Sequence, residues 1–364
     1  MTAAPATNAT IAAALQLNFG GGSAEQFRKH WPVLRILSKV QGVGTACTIP
    51  VEFKRGDASL SSFHAEGGDY PDEKAVLRDN ATLAWTEVAQ TFAVTDLATG
   101  VAGSNRFATP EGLLGGPSAV RRSEAHGTVV SIYDDLVTGF YTGNVGATPK
   151  QLAGMSYAAA ASGAFAGLDP SDTGYEQWAG SSDTGTLTAF NDDPIGTLRD
   201  FISGIRDQGG SADFAFARSA LINPILNAIQ SQPSQARIML PDGPLPVADL
   251  GARAVNIDGT WLVEDTSAPA NKVHVISSES VELQYLVPDM DVMTLDEIAA
   301  GVSALLGRTV APSAVEQILR RPYQLPPLWF APLGRTATKS KVGVSGLYQL
   351  GWRTRKDHGI LTLS

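Results

Sequence analysis

Few side chains in this sequence have both the type and the spacing that chemistry needs. Its five histidines (His30, His64, His126, His274 and His358) are scattered, with no pair at metal-ligand spacing. His64-Ala65-Glu66 has the form of a zinc-deaminase HxE, but the companion PCxxC needs two cysteines and Cys47 is the only one. The same count removes a thiolate zinc site and any intrachain disulfide framework. Asp134-Asp135 and Asp192-Asp193 are the acid pairs from which a general acid and base would be drawn. Adjacent helical residues point different ways, however, and Asp193 stands where a helix cap belongs. No GxxxxGK phosphate loop, HExxH or GxSxG elbow is present. Gly42-Val43-Gly44 lacks the third glycine and the following helix of a dinucleotide loop. His274 alternates with Val273 and Val275, the pattern of a solvent-facing or hydrogen-bonded strand residue. Cys47 alternates with Ile49, Val51 and Phe53 and reads as a small buried hydrophobe. The chain is expected not to be an enzyme and to use no cofactor or metal.

The elements that carry these residues are those of a folded protein. At 364 residues, 43% hydrophobic and 17% charged, the chain can bury two or three cores. Its longest apolar runs, such as residues 157–167, fall short of the roughly 20 residues that span a bilayer, so no membrane partner is expected. The first residues have no basic region ahead of their apolar part, which argues against a secretory signal and for a flexible arm over 1–26. From Arg308 onward, nine Lys and Arg stand against Glu316 and Asp357, about +7, leaving about −16 for the rest of a chain whose net charge is −9. An acidic surface of one subunit meeting a basic surface of another would fix their register.

Residues 44–56 alternate with the two-residue period of a half-covered strand, and Pro50 confines it to an edge or an extended arm. A polar tip, HAEGGDYPDEKA at 64–75, separates it from a returning strand over 80–98. In that strand Leu83 and Trp85 share a face before the phase shifts at Val88, predicting a bulge or bend. Val129, Ile132, Tyr133, Leu136, Val137 and Phe140 make one stripe of a long helix over about 118–141, opened near Pro117. Residues 143–190 are rich in Gly, Ala, Ser and Thr and show no period. Asp193 as cap and Pro194 behind it open a helix with Ile195, Leu198, Ile202 and Ile205 on one face, stopped by Gly209. A further helix is expected over 220–232, and Asp258-Gly259 signals a tight hairpin. Strands follow at 272–277 and 280–287. Capping boxes Thr294…Glu297 and Ser313…Glu316 announce two helices, and one long strand ends the chain.

The order of these pieces resembles the HK97-type major capsid protein of tailed bacteriophages. AEGGDYPDEKAVLRDNATLAWTEVAQTFAVTDLA resembles that family's extended loop (E-loop) and the strand returning from it. The helix after Pro117 resembles its spine helix. FARSALINPILNAI, RAVNIDGTWLVEDTSAPANKVHVISSESVELQYL and GLYQLGWRTRKDHGILTLS resemble its axial domain and final peripheral strand. The resemblance covers residues 27–364. It implies an α+β fold with an arm (1–26), the start of a peripheral domain (27–43), an E-loop (44–86), the rest of the peripheral domain with its spine helix (87–150), an axial domain (151–335) and a C-terminal return to the peripheral domain (336–364).

What the resemblance implies for function is self-assembly into pentamers and hexamers of an icosahedral shell around double-stranded DNA. The virion capsid would be its location, with assembly in the host cytoplasm. Inter-subunit contacts would come from Glu66, Gly67, Gly68, Asp69, Tyr70, Asp72, Glu73 and Lys74 of the loop. Arg335, Lys339, Lys341, Arg353, Arg355 and Lys356 of the basic C-terminal segment would supply the rest. Separate scaffolding, portal and decoration proteins are implied partners, with weak non-specific DNA contact on the inner face. The short arm leaves no room for a fused scaffolding segment. Lysine–asparagine cross-linking is not expected, because no asparagine follows Asn271. The readings that stand beside this one are a nanocompartment of the same fold, a β-rich adhesion or tail module, and a hydrolase with an unrecognised site.

Overall fold

The computed structural model describes residues 31–55, 76–95, 117–146, 150–172, 175, 178–231, 253–286, 325–336 and 339–364. In chain order they form α1 (Pro32–Ile36), β1 (Ser38–Gln41), β2 (Ala46–Arg55), β3 (Val76–Ala84), β4 (Thr86–Thr95), α2 (Pro117–Thr142), α3 (Met155–Ala158), β5 (Ser181–Gly185), α4 (Leu187–Asp192), α5 (Pro194–Asp207), β6 (Phe214–Ala217), α6 (Ser219–Ser231), β7 (Ala254–Ile257), β8 (Thr260–Glu264), β9 (Lys272–Ile276), β10 (Val281–Leu286), β11 (Trp329–Thr336), β12 (Lys339–Trp352) and β13 (Gly359–Leu363). The expected arm and both expected capping boxes lie outside the described residues.

The chain divides into two units. The described part of the first falls within Glu87–Leu136 and Pro327–Leu347; the second comprises Trp31–Thr86, Val137–Pro326 and Tyr348–Ser364. In the first, β11 and β12 pair antiparallel, Trp329 opposite Ser345 and Thr336 opposite Lys339, with a bulge between Pro332 and Arg335. Strand β4 also pairs with β12. The Gln90 amide of β4 donates to Ser131 Oγ at 2.8 Å and Asp135 Oδ2 at 2.9 Å, tying β4 to α2. The helical stripe read from the sequence is buried from Ile132 to Phe140 and extends to Tyr141, with Val129 half-buried.

The second unit is built on a six-stranded sheet of order β5-β13-β9-β6-β8-β7. Its two-residue period sends Ala215, Ala217, Val273, Val275, Leu361 and Leu363 to one face, where α4, α5 and α6 cover them with Phe190, Leu198, Phe201, Ile202, Ile205, Ile222, Ile225 and Ile229. The opposite phase carries Phe214, Phe216, His274 and Ile360, all buried as well. Helix α5 starts as its sequence predicts: the Asp193 carboxylate accepts from Gly196 N–H at 2.9 Å, and Pro194 follows it. Between β7 and β8, Asp258 (φ 49°) and Gly259 (φ 88°) both adopt left-handed backbone, the two-residue hairpin their dipeptide announces.

Two readings need correction. Residues 339–364 are not one strand. Strand β12 ends at Trp352, a turn containing a short 3-10 segment (Arg355–Asp357) redirects the chain, and β13 enters the six-stranded sheet between β5 and β9. The final strand therefore completes the α/β core of the second unit. Within residues 143–190, a strand (β5) and the start of α4 are regular, and at Gly154 close backbone approach replaces a period. A Cβ on Gly154 would stand 2.3 Å from Gly139 O and 2.7 Å from Phe140 O, so only glycine lets this segment lie on the end of α2. The phase shift after Trp85 is the break between β3 and β4, where the indole N–H donates to Gly44 O at 3.1 Å.

The cap at Asp193 supplies a simple stability check. Asp193→Ala removes an exposed N-cap and is expected to lower unfolding free energy by about 1 kcal/mol, read from urea midpoints.

Candidate assembly surfaces

The ribbon expected to reach outward is present at its root. Strands β2 and β3 pair antiparallel from Ala46–Ala84 outward to Arg55–Val76, with a bulge between Glu52 and Lys54, and among the described residues neither joins another strand. One face is buried through Cys47, Ile49, Val51, Ala81 and Leu83, while Thr48, Pro50, Asn80 and Thr82 are exposed. Pro50 costs the ribbon little, because a two-stranded ribbon has two outer edges where a missing N–H is harmless. The Cys47 thiol is pushed up to about 12 by burial and then by the Glu282 carboxylate, so it is an unreactive core group. Glu66, Gly67, Gly68, Asp69, Tyr70, Asp72, Glu73 and Lys74 lie outside the described residues.

The basic residues of the C-terminal segment do not form one set. Arg335, Lys339 and Lys341 belong to the first unit: Arg335 sits opposite Ser340 at the β11 bulge, Lys339 is half-buried and Lys341 exposed. Arg353, Arg355 and Lys356 belong to the second. Arg353 is exposed but holds buried Glu282 at 2.8 Å, and Lys356 is half-buried.

Arg355 departs from the expectation altogether. It is 0% exposed, and its guanidinium donates to Ala158 O at 2.8 Å, Trp178 O at 2.6 Å and Ala160 O at 2.6 Å. The rings of Phe165 and Trp178 lie 4.8 and 5.8 Å from its central carbon. Burial pulls its pKa down to about 10, so it stays a cation at neutral pH, held by carbonyl dipoles and aromatic faces. It binds its own chain and cannot serve as an exposed contact. The aromatic residues Tyr157, Phe165, Tyr175 and Trp178, unusual in a Gly/Ala-rich stretch, were the signal that such a cage existed.

A second buried polar group was also missed. Tyr141 Oη–H donates to Asp265 Oδ2 at 2.7 Å, and its ring lies 4.8 Å from that of His274. His274 is not solvent-facing: it is buried, and neither ring nitrogen has a hydrogen-bond partner among the described residues. His358 is buried beside Trp352, with Nδ1 accepting from Ser277 N–H at 3.4 Å. Burial pulls both imidazoles down to about 3, with Lys272 adding to the effect on His274. Asp265 is pushed up by burial, against the hydrogen bonds from Tyr141 and Ser267. Among the described residues no group of three or more His, Cys, Asp and Glu is placed to hold a metal ion. No helix among them is long and apolar enough to cross a membrane.

Known shell structures share this architecture. The capsid asymmetric unit of Cyanophage A-1(L) matches with a TM-score of 0.65 at 14% identity, over 93% of this chain and 94% of that one. A chain from Mycobacterium phage Bobi matches with a TM-score of 0.54 at 12% identity, over 99% of both. The SrpI encapsulin from Synechococcus elongatus PCC 7942 matches with a TM-score of 0.53 at 12% identity, over 96% and 94%. The sequence matches no protein-family model and no curated protein. At these identities the fold alone is shared, and it is the HK97-like α+β capsid fold expected from the sequence.

Two outcomes follow from the buried groups. Arg355→Met leaves three carbonyls without their donor and is expected to lower stability by at least about 3 kcal/mol, measured by chemical denaturation. His274 and His358 are neutral when folded and protonate near pH 6.5 when unfolded, so the stability present above that pH falls as the pH drops toward 3. Asp265, whose pKa is raised, acts in the reverse sense. His274→Leu should therefore flatten the acid limb of the stability profile by about 1.4 kcal/mol per pH unit, read from denaturant midpoints between about pH 4 and 6.

Proposed function

We propose that this protein is the major capsid protein of a tailed bacteriophage, assembling as pentamers and hexamers into an icosahedral shell around double-stranded DNA. The observation that carries this reading is a match of fold along nearly the whole length of both chains to the capsid asymmetric unit of Cyanophage A-1(L). A shell subunit needs heterologous contacts that close rings, and an arm or ribbon that overlaps a neighbour adds area a compact body lacks. The β2–β3 ribbon has the form for that role, buried at its root and extended toward a tip with four acidic residues. Glu66 to Lys74 of that tip and the exposed Lys341 are the proposed contacts with further copies, joined by Arg335, Lys339, Arg353 and Lys356; Arg355 is withdrawn from that set. The body needs no catalytic group for this role. Scaffolding, portal and decoration proteins, weak contact with packaged DNA, and assembly in the host cytoplasm belong to the same proposal.

An encapsulin-like compartment is the second reading, favoured by the SrpI match. The adhesion-module reading loses support, because within the stretch at 143–190 Gly154 packs on the end of α2, and β5 joins the six-stranded sheet.

Expressed alone or with a scaffold, the protein is expected to form closed particles tens of nanometres across by electron microscopy. Replacing residues 57–75 by a short turn should leave the melting transition of the unassembled chain intact and abolish particles. Only monomers or small rings under every assembly condition would overturn the proposal, and particles that protect DNA or a protein cargo distinguish its two forms.

A further inference from the structure

We infer that residues 157–172, with Tyr175 and Trp178, form a bracket that fixes the direction in which the β2–β3 ribbon leaves the second unit. The ribbon meets this segment along the outer edge of β3, the side away from β2. Thr82 N–H donates to Ala166 O at 2.9 Å, and Tyr175 Oη–H donates to Asp79 Oδ2 at 2.8 Å. The other Asp79 oxygen accepts from Asn80 N–H at 2.7 Å, which holds the carboxylate in place for Tyr175. The two links are three positions apart along the strand, so together they set an angle as well as a position.

The bracket is rigid from the core outward. Phe165 and Leu168 exchange backbone hydrogen bonds of 2.8 and 3.0 Å across a two-residue turn, Ala166 (φ 54°) and Gly167 (φ 88°). A left-handed alanine is disfavoured, and it persists only where its surroundings over-determine it. Here they do. Arg355 ties Ala158, Ala160 and Trp178 together through their carbonyls. The Trp178 indole N–H donates to Phe165 O at 3.1 Å, and Tyr157 Oη–H donates to Ala164 O at 2.7 Å. The strained carbonyl at Ala166 is the one presented to the ribbon.

Besides its buried apolar face, the ribbon is held at the last residue of β3, where the Gln349 amide donates to Ala84 O at 2.7 Å; apolar contact and hydrogen bonds differ in kind. Apolar burial is non-directional and tolerates sliding and rotation in the plane of contact. Hydrogen bonds weaken steeply with misalignment, so the edge contacts select one direction. The consequence for assembly rests on the shell reading, in which a ribbon pointed wrongly misses its neighbour. The bracket itself is a property of the single chain.

The experiment places spin labels on the ribbon and on β5 of the full-length protein, through Lys54→Cys and Ser182→Cys, and measures their distance distribution by pulsed electron paramagnetic resonance. Buried Cys47 stays unlabelled, which the unmutated chain checks. Thr82→Pro removes the N–H at a position where β3 does not use it for β2, and Tyr175→Phe removes the hydroxyl. The expected result is one narrow distribution in the parent and a broadened, shifted one in the double variant, at an unchanged melting temperature. Tyr175→Phe alone should give part of that shift and serves if the double variant unfolds. Asp79→Asn, which keeps an acceptor for Tyr175, should stay narrow. Unchanged width in the variants overturns the bracket, whatever happens to assembly. Particle formation is scored separately: a parent chain that forms no shells overturns the shell reading, while the distances still judge the bracket.

Discussion

The Arg355 guanidinium, buried without a carboxylate in contact, is the interaction on which much of the second unit depends. A cation withdrawn from water is tolerated only where its donors are satisfied and its charge is met by oriented dipoles. Here three carbonyls from the 158–178 region converge on it between two aromatic faces. Those carbonyls belong to a segment with little regular structure of its own, so the arginine stands in for the ladder that would otherwise align them. The arrangement works in both directions. The segment satisfies the cation, and the cation fixes the turn in which the chain leaves β12 and starts β13.

That turn decides where the chain ends. Asp357, two residues on, accepts from Ser211 N–H at 3.0 Å and from the Ser280 hydroxyl, so the turn is tied on both sides to the loops around β6 and β10. Strand β13 can then slide between β5, which it meets parallel, and β9, which it meets antiparallel. Both partners are distant in sequence, and among the described residues β5 joins the sheet only through β13, the last strand of the chain. Pairing of this kind is slow to form, because loop closure must precede the contacts that repay it. The buried arginine helps by holding the approach to β13 in a single conformation.

Where a residue's role is set by local pattern, it was legible in the sequence. The stripe on α2, the Asp193–Pro194 start of α5, the Asp258–Gly259 hairpin and the alternation of β2 around Pro50 all depend on neighbours within a few positions. What escaped depends on partners far along the chain. A charged residue reads as surface by default, and nothing near Arg355 in sequence reveals the carbonyls that accept from it. His274 reads as satisfied or exposed because alternation reports two faces of a strand and cannot tell that both are covered. The excess of positive charge after Arg308 is real in composition, yet its described members are distributed over two units, and one of them is internal. A summed charge is therefore not a patch. The acidic loop tip lies outside the described residues, so its residues rest on pattern and resemblance.

A two-stranded ribbon is at best marginally stable alone in water, and this constrains how an extended element can be built. The outer part of β2–β3 cannot supply its own core, so its order must be borrowed from its root. One loan is hydrophobic, through Cys47, Ile49, Val51, Ala81 and Leu83; the other is polar, through Thr82, Asp79 and the Ala84 carbonyl. The division also manages the exposed edge of β3, which would otherwise offer unpaired groups to any strand that met it. A turn from the same unit occupies that edge near its base, through the Thr82 N–H to Ala166 O hydrogen bond. In the proposed shell subunit that asymmetry would suit an element that recognises one partner, its root closed to other strands and its acidic sequence left for the contact.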